Sequence, residues 1–157
     1  MFPQLSGPEH ALISKMKDQI QRVYSTFVTQ VHRRPNSAPS NLLPLLIAAA
    51  DLPGGGSSNE IVSRNGGLHF HGLLLIPPSS RLRTSVSEHF GKNWDRYTGS
   101  GRLIERIHVK AVLCGYSRVT DYILKSIVKG RLTAGPSELV MTDLSHGSTS
   151  DDFCWSP

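Results

Sequence analysis

Between Gly67 and Pro77 the chain reads Gly-Leu-His-Phe-His-Gly-Leu-Leu-Leu-Ile-Pro, an apolar run carrying two imidazoles one residue apart. A short apolar run bounded by glycine and proline is comfortable only as a buried strand. Side chains of a strand alternate between its faces, so His69 and His71 share one face with Leu73 and Leu75, while Leu68, Phe70, Leu74 and Ile76 take the other. At about 3.3 Å of rise per residue the two rings stand roughly 7 Å apart along the strand. They can grip one divalent ion if a neighbouring strand brings a third ligand. A lone strand histidine is ordinarily a core or surface residue, but a pair alternating inside an apolar strand points to metal-assisted chemistry.

The chain has 157 residues, of which 38% are hydrophobic, enough for one domain with a real core and too few for two. Lys and Arg number 17 against 12 Asp and Glu, and the pI near 9.5 favours a polyanionic partner such as nucleic acid without establishing it. Cys114 and Cys154 are the only cysteines and show no Cys-x-x-Cys spacing, which argues against a disulfide framework or a thiolate cage and fits a reducing cytoplasm. The first eight residues lack the basic region and apolar core of a secretory signal. The longest apolar run, near Leu45, is broken by Pro44 and falls far short of the roughly 20 residues a bilayer requires, so no membrane partner is expected.

Apolar residues recur at three- and four-residue steps across 8–34 and predict one long amphipathic helix, with Pro8 suited to its first turn. A Pro, Asn and Ser cluster at 35–41 ends it, and 42–51 is expected as a buried strand. The Gly- and Ser-rich segment 53–59 is expected as a loop before the histidine strand, which makes the two strands an antiparallel pair. A short helix is expected at 85–92, a third strand at 102–113 from its alternation, and a further helix at 117–132. Residues 133–157 show no period and are expected as a poorly ordered tail.

At 100° per residue, the helix from Ser117 divides into an apolar side with Ile123, Leu124, Ile127 and Val128, and a polar side where Arg118, Lys125, Ser126 and Lys129 fall within about 60° of Tyr122. A phenol ringed by cations is pushed toward phenolate, which a tyrosine with an ordinary pKa of about 10 needs in order to act as a nucleophile at neutral pH. The same cations would hold a phosphodiester. Tyr116, just before the helix, is the competing nucleophile. Arg81 and Arg83, after the Pro77-Pro78 turn, are further phosphate contacts of low specificity, and Trp94 and Tyr97 with Arg96 and Arg102 could stack on single-stranded bases. His108 could look toward the site or toward water.

His69-Phe70-His71 followed by Tyr122-Ile123-Leu124-Lys125 resembles two of the three usual motifs of the HUH endonuclease superfamily, the rolling-circle replication initiators with their relaxase and transposase relatives. The resemblance covers 8–132 and implies an α+β fold, an antiparallel sheet with helices packed on one face and the metal site on the other, related to the ferredoxin-like arrangement. It implies a divalent metal, Mg2+ or Mn2+, on the histidine pair, and nicking and joining of single-stranded DNA or a DNA hairpin. The helical tyrosine attacks the scissile phosphate and leaves a 5′-phosphotyrosine link and a free 3′-hydroxyl. Tyr122 is then the nucleophile. Lys125 matches the lysine of the family's Tyr-x-x-Lys pattern, and would orient phosphate or modulate the phenol. Family members often draw a third metal ligand from the end of the preceding strand, where this chain has Asp51, with Glu60 as second choice. Arg118 and Lys129 would join Arg81 and Arg83 in binding DNA. The family's first motif, a Thr-rich apolar strand before the long helix, has no counterpart in 1–7, so a domain without that strand is expected, either shortened upstream or completed by another segment.

Other His-x-His chemistries fit less well. Histidine-triad nucleotide hydrolases need a third alternating histidine where Leu73 stands, and metal-dependent amidohydrolases need a barrel of about 250 residues. The expected function is rolling-circle initiation for a plasmid or phage, with host replication proteins as further partners. The runner-up is a catalytically inert DNA-binding regulator, a decayed initiator that keeps the fold.

Overall fold

The central strand, β1 (Leu45–Asp51), contains Ala48-Ala49-Ala50, three residues whose intrinsic preference is helical. Tertiary cover overrides that preference. In the computed structural model, which describes residues 8–51, 68–98, 104–128 and 139–141, β1 is paired on both edges and all three alanines are buried. On one edge β2 (His69–Leu75) runs antiparallel, from Leu45 opposite Leu75 to Asp51 opposite His69. On the other edge β3 (Leu139–Met141) is also antiparallel, with Ala48 opposite Val140, giving the order β2-β1-β3.

The first helix, α1 (Glu9–Val31), begins without a side-chain cap, and the Pro8 carbonyl accepts the Ala11 and Leu12 N–H groups at 3.0 and 3.1 Å. It ends where His32 turns extended, two residues ahead of Arg34, which the ring of Pro35 also keeps out of helical conformation. Leu12, Ile13 and Met16 bury against Ala50, Leu68 and Ile104, with Phe70 packed beside them. Each such aliphatic side chain contributes about 1.5–3 kcal/mol by leaving water. The Tyr24 hydroxyl donates to the Pro44 carbonyl at 2.5 Å and ties α1 to the start of β1. Further along α1, Phe27 and Val31 join Phe90 of α2 (Val86–Lys92) and Tyr97 of α3 (Trp94–Thr98) in a second cluster that also takes in Leu74 and Ile76. Ser85 caps α2 by accepting the Glu88 N–H. Among the described residues no helix is long and apolar enough to cross a membrane.

Three expectations change. The third strand does not fall where it was expected: among the described residues 104–113 form no strand, and the third strand is Leu139–Met141, inside the stretch expected as tail. Ile107 and Val109 do alternate inward, yet they pack beside the two apolar clusters, so period two here reports one-sided burial without a ladder. Helices also cover both faces of the sheet where one was expected. The first three gather on the Phe70 face, and α4 (Tyr116–Val128) lies against the histidine face. A central strand apolar on both sides requires cover on both. Residues 1–7, where the family's first strand finds no counterpart, lie outside the described residues, as do Glu60, Arg102 and Lys129.

Gly115 has φ of 71°, and its carbonyl accepts the Val119 N–H at the start of α4. A side chain in that left-handed conformation is strained. Gly115→Ala is expected to lower the unfolding free energy by about 1 kcal/mol in urea titrations, whereas Gly91→Ala, at a helical position with open space for a Cβ, should leave stability unchanged or raise it by up to about 1 kcal/mol.

His89 and Tyr97 are buried together, with His89 Nε2 2.8 Å from the Tyr97 hydroxyl. Burial, reinforced by the charge of Arg96, holds the His89 pKa below the usual histidine value, and burial raises that of Tyr97, so both are neutral in the fold. The unfolded chain takes up the His89 proton first as pH falls, so this stability is complete above about pH 6.5 and is lost as pH drops toward the depressed folded value. Unfolding free energy measured from pH 8 to pH 5 should therefore fall, and His89→Gln should flatten that slope.

Candidate metal centre

Antiparallel register places Asp51, the last residue of β1, directly opposite His69, the first residue of β2. Opposed residues of such a pair share a face, so the Asp51 carboxylate and the rings of His69 and His71 converge. His69 Nε2 and His71 Nε2 are 3.0 Å apart, and Asp51 Oδ2 lies 3.5 Å from the first and 3.2 Å from the second. Atoms sharing an ion at about 2.1 Å stand about 3.0 Å apart on octahedral corners and about 3.4 Å apart on tetrahedral ones. The three residues therefore lie close enough to bind one metal ion, and their donors are of the kinds that divalent ions accept.

Burial sorts the three. Asp51 is 1% exposed, whereas the His69 and His71 side chains keep 37% and 27% of their surface. Burial lowers the His71 pKa, the neighbouring His69 lowers it further, and Asp51 opposes both. The net direction favours a neutral imidazole, the form that ligates metal.

From the other side α4 brings Tyr122 and Lys125. The Tyr122 ring stands edge-on to His71 with centroids 4.7 Å apart and is 51% exposed. Lys125 Nζ lies 2.8 Å from Asp51 Oδ2 and 4.1 Å from the centre of the Tyr122 ring. The hydrogen bond to Asp51 raises the Lys125 pKa above its usual value. These two side chains are one turn apart, so a single helical face delivers both.

The structure thus brings together five of the candidates: Asp51, His69, His71, Tyr122 and Lys125. Arg118 is exposed on α4, one turn before Tyr122. Arg81 and Arg83 are exposed beyond the opposite end of β2, where the Arg81 N–H binds the Val31 carbonyl at 2.9 Å, so they do not join the cluster. His108 is exposed, and Tyr97, a candidate for base stacking, is wholly buried against His89. The Lys125 to Asp51 ion pair was not expected, because the lysine was read as orienting phosphate or modulating the phenol; the signal available was that a buried strand-end carboxylate requires a cation. A cavity of about 780 Å³ between α1, the Phe70 face and residues 104–112 is lined by none of the five.

No family model, curated protein or solved structure matches this chain.

Titration calorimetry with Mn2+ is expected to show one ion bound per chain. His71→Ala should weaken that binding roughly tenfold or more, and a chelator should reverse it.

Proposed function

We propose that this chain nicks and rejoins single-stranded DNA through a covalent tyrosine intermediate, as an HUH-type endonuclease of the single-tyrosine kind. The observation that carries the reading is the meeting of Tyr122 with the Asp51, His69 and His71 cluster from the opposing helix, on one face of one sheet. A metal-ligand set alone is common to many chemistries. A half-exposed phenol at its edge, with an ammonium 4.1 Å from the ring centre, is what phosphodiester transfer to tyrosine asks for.

Asp51, His69 and His71 would hold Mg2+ or Mn2+, which supplies Lewis-acid polarisation of a phosphate oxygen. Tyr122 Oη attacks the phosphorus, the Oη–P bond forms as the bond from phosphorus to the 3′ oxygen breaks, and the phenolic proton is made up on the departing hydroxyl. The products are a 5′-phosphotyrosine and a free 3′-hydroxyl, and rejoining is the reverse displacement. Lys125 and Arg118, on the same helix, offset the charge that develops on the phosphate. Net charge of +5 suits a polyanionic strand or hairpin, and rolling-circle initiation for a plasmid or phage is the setting this chemistry serves.

Incubation with single-stranded oligonucleotides and Mn2+ should give an adduct that shifts the protein on a denaturing gel. Tyr122→Phe should abolish the adduct while DNA affinity changes less than about twofold, since one hydroxyl adds little to a backbone-dominated interface. Adduct formation retained in Tyr122→Phe would move the nucleophile to Tyr116. Salt-sensitive binding with no adduct from the wild-type chain would favour the inert regulator.

A further inference from the structure

Asp51 Oδ2 is shared between the candidate metal-ligand set and an ammonium. The same oxygen that faces His69 Nε2 and His71 Nε2 accepts a hydrogen bond from Lys125 Nζ at 2.8 Å. An ion bonded to that oxygen at about 2.1 Å would stand within about 5 Å of an ammonium that kept its present contact. Asp51 is 1% exposed and the Lys125 side chain only 28%, so water screens that repulsion poorly. Movement of the side chain is the available response: the lysine has a flexible four-carbon stem, and a second neighbour, the Tyr122 ring, is already in reach.

We infer that Lys125 and the divalent ion are alternative partners of Asp51, so that metal binding displaces the lysine from the carboxylate and frees it beside Tyr122. The inference rests on the metal-site reading above and adds to it a coupling between loading of the site and readiness of the nucleophile. Without the ion, Lys125 brings an ammonium to a buried carboxylate that also faces the two imidazoles. With the ion, the same ammonium becomes available to phosphate. Lys125 therefore acts as a positioning residue whose place depends on whether the site is loaded.

Mn2+ titration of the wild-type chain, Lys125→Met and Lys125→Arg, without DNA, tests the competition. Removing the competitor should tighten Mn2+ binding about tenfold or more in Lys125→Met, since a hydrogen bond between charged groups no longer has to be broken. Lys125→Arg, with a guanidinium suited to clasping a carboxylate, should bind Mn2+ no better than wild type. On the wild-type chain, saturation with diamagnetic Mg2+ should move the Lys125 Cε–H NMR signals toward those of a solvated lysine, and Asp51→Asn should show that position before any metal is added. Unchanged or weaker Mn2+ binding by Lys125→Met would overturn the inference while leaving the metal site standing, as would Lys125 signals that ignore Mg2+. Absence of Mn2+ binding to both wild type and Lys125→Met would overturn the metal site and this inference with it. If the Met variant does not fold, Lys125→Gln and the wild-type NMR measurement decide the competition in the same way.

Discussion

The site is organised around a carboxylate at the end of the central strand. A buried carboxylate is tolerable only when its charge is met, and Asp51 meets two imidazoles from β2 and one ammonium from α4. The imidazoles and the ammonium depend on two different long-range pairings. The imidazoles need the β1 and β2 register, with Asp51 opposite His69, and the ammonium needs α4 seated on the same face. A slip of one residue would turn both histidines to the Phe70 face and leave the carboxylate without them. The polar cluster thus rewards one register over its neighbours, while the apolar contacts of α1 supply the bulk of the driving force.

The division of labour between the two faces follows from side-chain size. On the Phe70 face, Ala48, Ala50 and Gly72 keep the sheet low, and a Cβ added at Gly72 would lie 3.1 Å from the Ala48 Cβ and 3.2 Å from the Ile47 carbonyl. The long helix packs against that low surface at Ala50, and the cavity of about 780 Å³ lies between it and Ala48 and Gly72. On the other face Asp51, His69 and His71 rise from the sheet and are capped by Tyr122 and Lys125 of α4. Core and chemistry are therefore separated by the thickness of one sheet, and the residues that stabilise the fold need not compromise those at the site.

Much of this arrangement was legible in the sequence, and the reasons differ by residue. The histidine face follows from strand alternation alone, and Asp51 follows once β1 and β2 are taken as antiparallel, because strand ends then meet. Spacing of one turn brought Tyr122 and Lys125 onto one helical face, and the structure keeps them there. The third strand was misplaced because alternation at 107 and 109 signals an inward face and says nothing about hydrogen-bonded partners; the true strand, three residues long, is too short to carry a period. The His89 and Tyr97 pair was hidden for a related reason. Its two members lie on different helices, and nothing in either local pattern announces the other. Long-range polar pairing is the information that periodicity lacks.

Exposure at the site bears on the size of what it handles. Pockets for small molecules enclose most of the ligand surface, commonly more than about 70% of it. Here the two imidazoles and the lysine keep between 27% and 37% of their side-chain surface, and Tyr122 as a whole residue is 51% exposed. In the proposed function that exposure, read among the described residues, is where an extended single strand would lie across the phenol and the metal ligands. In that function such a strand would draw most of its affinity from backbone charge, and Tyr122 would need to reach only one of its phosphates.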